Sequence, residues 1–109
     1  MTVKFFAYLR EKEFAGTKEA PWPAAATVRE LGEQLCERYG SRFRAEFFSP
    51  YGASLGEKII VMVNGRRVEF LSGIDTPLKD TDTVQIFPVV AGGWAPAPPP
   101  NPKKAVKPI

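Results

Sequence analysis

The sequence predicts an α+β domain in which a mixed four- or five-stranded sheet curls over a single main helix. Three observations carry that expectation. The chain opens on a run that alternates apolar and mixed positions, Val3 to Leu9. Thr27-Val28-Arg29-Glu30 has the spacing of a helix-starting capping box. An apolar β-branched run, Ile59 to Val63, is followed at once by Asn64-Gly65, the strongest short hairpin signal.

In chain order, Val3, Phe5, Ala7 and Leu9 alternate with Lys4, Phe6, Tyr8 and Arg10, which predicts a strand with one largely apolar face. Phe14-Ala15-Gly16-Thr17 reads as a turn. Lys18 to Trp22 is a shorter strand, and Pro21 and Pro23 assign it to a sheet edge because proline has no amide to donate to a ladder. Thr27 then caps a helix whose buried stripe is Val28, Leu31, Leu35 and Tyr39, with Gly40 fitting the position that ends it. Ser41 to Glu57 fits no single template: Phe43, Phe47 and Phe48 interleave with Arg42, Arg44 and Glu46, and Pro50, Gly52 and Gly56 break up the remainder. Ile59 to Val63 and Arg66 to Glu69 form the hairpin. Leu71 to Asp82 reads as a loop with one helical turn, and Thr83 to Pro88 as the last strand, with Val84 and Ile86 facing inward.

Composition narrows the chemistry. The chain has 109 residues, no histidine and one cysteine, which excludes a disulfide framework, a cysteine-rich zinc site and any Ser-His-Asp or Cys-His machinery supplied by these residues. No catalytic or metal-binding residue is expected. Fifteen Lys and Arg stand against twelve Asp and Glu, and the excess is Lys103, Lys104 and Lys107 near the end of the chain. The body is therefore neutral, so a nucleic-acid partner is not expected. No secretory leader or membrane span is read from the sequence, and the expected setting is the cytoplasm, with a monomer when free.

The body is expected to span about residues 1–90, followed by the short flexible linker 91–93, Ala91-Gly92-Gly93. Residues 94–109 include six prolines and are expected to be an extended or disordered tail.

Five segments in order carry a resemblance to a known family: Val3-Lys4-Phe5-Phe6-Ala7, Thr27-Val28-Arg29-Glu30-Leu31, Val63-Asn64-Gly65, Leu78 to Val84, and Phe87-Pro88-Val89-Val90-Ala91-Gly92-Gly93. Over residues 1–93 the chain resembles the ubiquitin-like sulfur carriers of the MoaD/ThiS type, above all the small subunit of molybdopterin synthase. The resemblance implies a β-grasp fold. It also implies a carrier without an active site of its own, whose terminal glycine, here Gly93, bears sulfur as a thiocarboxylate. An ATP-dependent activating enzyme would adenylate that terminus, and the large synthase subunit would use the sulfur for the molybdenum or tungsten cofactor. The chain itself would bind no cofactor; ATP belongs to the partner. Gly92 and Gly93 would thread the partner's channel, since a strip without side chains passes a narrow opening and adopts any backbone angle it imposes. Phe87 points away from the core if Val84 and Ile86 point in, so it is expected either to contact a partner, together with Pro88 and Val89, or to pack against a neighbouring loop. Thiamine-type and cysteine-type carriers share such a terminus.

One feature departs from the family pattern. Gly93 is followed by sixteen residues beginning at Trp94, so its carbonyl is an amide, which cannot be adenylated as a carboxylate can. Three readings are open: a precursor cut between Gly93 and Trp94 by a metalloprotease related to deubiquitinases, a β-grasp interaction module that keeps its tail, or a tail appended for expression. The first is preferred, because an unstructured tail keeps the bond accessible. Among the remaining residues, Cys36 is expected to be a buried filler, and Arg66 and Arg67 a solvated turn rather than a docking patch.

Overall fold

The computed structural model describes residues 1–89. Ala91, Gly92, Gly93, Trp94 and the proline-rich segment lie outside the described residues, as does the expected domain boundary at residue 90.

Five strands form one mixed sheet: β1 (Thr2–Phe5), β2 (Glu19–Pro21), β3 (Ile59–Val63), β4 (Arg66–Arg67) and β5 (Thr83–Pro88), in the spatial order β2-β1-β5-β3-β4. The first and last strands run parallel at the centre, with Val3 opposite Val84 and Phe5 opposite Ile86. The other pairings are antiparallel. Helix α1 (Val28–Tyr39) buries Val28, Leu31, Gly32, Leu35 and Cys36. Its apolar side chains join Val3, Phe5, Val61, Val63, Val84 and Ile86 of the sheet in one core. This is the β-grasp architecture expected from the resemblance.

The local signals work as chemistry. Thr27 Oγ1 accepts from the Glu30 amide at 3.2 Å, while Glu30 Oε1 accepts from the Ala26 amide at 2.6 Å. The capping box therefore reaches one residue further upstream than its usual form. Asn64 and Gly65 have φ of 53° and 83°, the two left-handed positions of a type I′ turn. As expected, β2 is an edge strand and residues 73–75 form the helical turn in the loop before β5.

Four elements differ from expectation. The first strand stops at Phe5 instead of reaching Leu9: Ala7 adopts φ 53° and residues 7–10 close into a 3-10 turn. Leu9 is still fully buried while Ala7 is exposed, so the apolar alternation marked the burial of Val3, Phe5 and Leu9 but neither that of Ala7 nor the conformation. The return strand of the hairpin is only Arg66–Arg67, because Val68–Phe70 turns into 3-10 geometry that drops Val68 into the core. The segment after Gly40 contains a second helix, α2 (Ser41–Phe47), so the sheet carries two helices rather than one. Phe43 and Phe47, four residues apart, are fully buried on it. Finally, Gly40 ends α1 at positive φ as expected, but with an extended ψ of −174°, and it opens α2 at once. Among the described residues, no helix is long and apolar enough to cross a membrane.

Candidate functional site: the end of the central strand

The end of β5 is where the structure hands the chain on to Ala91-Gly92-Gly93, and the sheet holds it to its last described residue. Ile59 pairs with Pro88 and Ile60 with Phe87, and the Val89 amide donates to the Lys58 carbonyl at 2.7 Å. That bond sets the alternation: odd-numbered amides of β5 face β3, and position 88 faces the β1 side. There β1 has already ended, its final tie being the Phe6 amide to the Ile86 carbonyl at 3.2 Å. A proline at 88 therefore costs no ladder bond in a strand that is otherwise central.

The other end of β5 is equally fixed. The Asn64 side chain donates to Asp82 Oδ1 at 2.8 Å and accepts from the Thr83 amide at 2.9 Å, and the Lys79 amide donates to Asp82 Oδ2 at 2.8 Å. These hydrogen bonds, the one from Asn64 first, hold the Asp82 carboxyl below the usual carboxylate range. The Asn64-Gly65 and Lys79-Asp80-Thr81-Asp82-Thr83 segments are thus one lock that sets the register of β5.

Phe87 points away from the core, as expected from Val84 and Ile86, yet it is only 8% exposed. Its ring stacks on Phe6 with centroids 4.2 Å apart and planes 15° from parallel. Arg10 extends this cluster, its guanidinium 5.2 Å from the Phe6 centroid and its Nε donating to the Phe5 carbonyl at 2.8 Å. Pro88 is buried and Val89 half-buried. Beside Val89 opens a groove of about 380 Å³ with apolar walls from Leu55, Ile59, Ile60, Val68 and Ile74 and a charged rim of Glu57, Arg67 and Glu69. Arg66 and Arg67 are exposed, and Arg67 is engaged by Glu69 at 2.7 Å.

Sequence reasoning found the strand end and missed the groove and the Phe6 stack. A signal existed: Ile60 and Met62 are apolar on the face of β3 opposite the core, where no helix packs. Cys36 is 5% exposed, and burial pushes its thiol up to about 11, which fits the inert filler expected. Among the described residues, no group of three or more His, Cys, Asp or Glu side chains could hold a metal ion.

Comparison with known proteins agrees with this geometry. Small archaeal modifier protein 3 of Haloferax volcanii is 33% identical over 99 residues, covering 85% of this chain and 98% of that protein. The solved BexX/CysO complex of Amycolatopsis orientalis contains a chain with 33% identity and a TM-score of 0.68, covering 84% of this chain and 98% of its own length. A Pyrococcus furiosus protein provisionally described as molybdopterin converting factor, subunit 1, shows 36% identity and a TM-score of 0.60 over 82% of this chain and 95% of its own. The chain is thus similar to small ubiquitin-like carriers and modifiers. The ThiS family model matches residues 3–93, from the first residues of β1 to the second glycine, and the chain belongs to that family.

Proposed function

We propose that the chain carries sulfur as a thiocarboxylate on Gly93, after a peptidase has cut the Gly93–Trp94 bond, and delivers it to a synthase that builds the molybdenum or tungsten cofactor. The observation that carries this reading is where the family match stops: it ends at Gly93 and leaves Trp94 onward outside. Behind that glycine stands a strand whose register is locked at both ends.

The chemistry has three steps. Hydrolysis of the Gly93–Trp94 amide consumes one water and leaves the Gly93 carboxylate. That carboxylate attacks the α-phosphorus of ATP on an activating enzyme, pyrophosphate leaves, and an acyl adenylate forms. A sulfur nucleophile at the oxidation level of sulfide then attacks the acyl carbon, AMP leaves, and the thiocarboxylate remains. Phe87, Pro88 and Val89 position the strip that enters the partner. The Phe6–Phe87 stack keeps this end of the two central strands rigid, and Val89 and the adjoining groove offer the accessible surface. The work belongs in the cytoplasm, where ATP is available.

A second reading has a specific observation behind it, because the Haloferax relative is called a modifier protein. In that case a lysine amine, rather than sulfur, attacks the adenylate and leaves an amide between Gly93 and a target protein. Intact mass from native cells separates the readings. A species ending at Gly93, with a second one heavier by the difference between a sulfur and an oxygen atom, supports the carrier. Conjugates to other proteins support the modifier. Full-length chain alone in every growth condition overturns both and leaves an interaction module that keeps its tail. Gly93→Ala should abolish loading without altering the fold, and undiminished loading would remove Gly93 from the mechanism.

A further inference from the structure

We infer that Arg10 is a fixed docking cation: its guanidinium takes the carboxylate of an aspartate or glutamate on the activating enzyme, beside the root of the strip that enters that enzyme. The inference rests on the proposed adenylation of Gly93 and adds the chemistry of the partner's contact.

The Arg10 side chain is exposed and yet held in place. Its Nε donates to the Phe5 carbonyl at 2.8 Å, and the guanidinium lies 5.2 Å from the centroid of the Phe6 ring. The two terminal nitrogens are left as a fork whose orientation is already set, and such a planar fork matches the two oxygens of a carboxylate. Holding the side chain in advance also removes part of the ordering cost of association. The backbone contributes as well. Ala7 adopts φ 53°, an angle that a residue with a side chain rarely takes, and the turn it opens brings Arg10 back over the end of β1. Strain of this kind persists where the surroundings hold it, and it gathers at functional positions.

This cation has no acidic partner of its own. Arg29 pairs with Asp75, Arg44 with Glu33 and Arg67 with Glu69, whereas Arg10 makes no ion pair among the described residues, with Glu11 and Glu13 close by in sequence. Arg38 also lies over rings, those of Trp22 and Tyr39, but it belongs to α1 and no hydrogen bond fixes its fork among the described residues. Position completes the case. Phe6, beneath the guanidinium, stacks on Phe87 with centroids 4.2 Å apart, two positions before Val89. A protein that receives Gly92 and Gly93 closes around this end of β5 and brings its own surface to Arg10. Adenylation is the step that the carrier and modifier readings share, so the carboxylate belongs to the activating enzyme.

The test follows ATP–pyrophosphate exchange by the cell's own adenylating enzyme, with the chain ending at Gly93 as its substrate. Every residue of the packed core precedes that end, the last being Ile86, and Arg10 lies outside the core, so Arg10→Met and Arg10→Lys should fold as the parent does. Methionine keeps an apolar cover on Phe6 and removes the charge; lysine keeps the charge and loses the fork. KM for Arg10→Met should rise about tenfold or more, the effect of losing one charge-assisted hydrogen-bonded pair. Its kcat should stay unchanged, because the cation stands at the rim and not at Gly93. Arg10→Lys should fall between the two. Added salt should raise KM more steeply for the parent than for Arg10→Met. Both variants lose the Nε bond to Phe5, so a purely structural role would raise KM equally in both and leave their salt response alike. That result, or a KM for Arg10→Met within about twofold of the parent, would overturn the inference. No exchange even with the parent chain would end the reading of Gly93 as an adenylated terminus and this inference with it, whereas exchange that ignores Arg10 ends the inference alone.

Discussion

Replacing Asn64 with alanine should unlock β5, and the cost can be worked out from the structure. The side chain makes two hydrogen bonds, to Asp82 at 2.8 Å and from the Thr83 amide at 2.9 Å. Each contributes about 1 kcal/mol net, with the bond to the carboxylate toward the upper end. The residue also sits at φ 53°, where asparagine is tolerated and alanine costs about 1 kcal/mol. The sum is about 3 kcal/mol. For a domain of this size that lowers Tm by roughly 10–20 °C, a large share of a total stability of about 5–15 kcal/mol. Asn64→Gly separates the two contributions, because it loses the hydrogen bonds and keeps the backbone conformation, so it should be about 1 kcal/mol more stable than Asn64→Ala. The assay is denaturant unfolding followed by far-UV circular dichroism. A loss below about 0.5 kcal/mol for Asn64→Ala, within the range of ordinary surface substitutions, would refute the lock. A glycine variant no better than alanine would refute the backbone contribution.

Further expectations come from the same kinds of contact. Asp82 titrates below its ordinary value in the folded protein, so its stabilisation is present above the unfolded carboxylate pKa and is lost as pH falls through the folded one. The stability gap between the parent and Asn64→Ala should therefore narrow in acid below about pH 4, and a gap that stays constant would sever the link to Asp82. Gly32→Ala should cost about 1–2 kcal/mol net. Its Cβ would meet the buried Phe47 ring and come within 2.8 Å of Phe48 Cζ, an overpacking only partly offset by alanine's better helix propensity. Unchanged or raised stability would mean that the two rings give way freely. With its thiol raised to about 11, Cys36 should resist alkylation at about pH 8 in the native protein and react quickly in denaturant; equal rates would contradict its burial. Tyr8, whose hydroxyl donates to Glu46 at 2.6 Å, is pushed up to about 12 by burial and by that carboxylate. Ultraviolet titration of Glu46→Gln should show its phenolate forming at lower pH than in the parent.

What could be read in advance was whatever depends on neighbours in sequence. The Thr27 cap, the Asn64-Gly65 turn and the inward Val84 and Ile86 are local patterns, and each took the form its chemistry dictates. What escaped depends on distant partners. The alternation from Val3 to Leu9 could not reveal that the strand would break at Ala7, because Leu9 reaches the core equally well from a 3-10 turn. Helix α2 hid behind its short length and unhelical flanks, although the spacing of Phe43 and Phe47 was visible. At the candidate site, the outward direction of Phe87 was legible from strand parity. Its burial was not, since the ring that covers it belongs to Phe6, eighty-one positions earlier in the chain.

The position of β5 explains why this fold suits a presented terminus. A terminus that must enter another protein's active site needs a fixed origin and a free end, and the boundary between the two must be sharp. Strand β5 supplies the origin because it lies between a parallel and an antiparallel neighbour and is held from Thr83 to the Val89–Lys58 bond. Proline at 88 sharpens the boundary, as its missing amide falls where β1 can no longer accept a bond, so no further pairing on that side is forgone. Gly93 comes only four positions after Val89, a reach of roughly 13–14 Å when extended. On the proposed carrier reading, that distance would set the depth at which an activating or cutting enzyme places its chemistry. Lengthening the strip with one extra glycine after Gly92 should leave the fold and stability unchanged while lowering the rate of charging. The reacting carbonyl would overshoot by about 3 Å, and misplacement on that scale costs on the order of a hundredfold. Equal charging of the lengthened and natural chains would show that the rigid origin on β5 plays no part in placing the terminus.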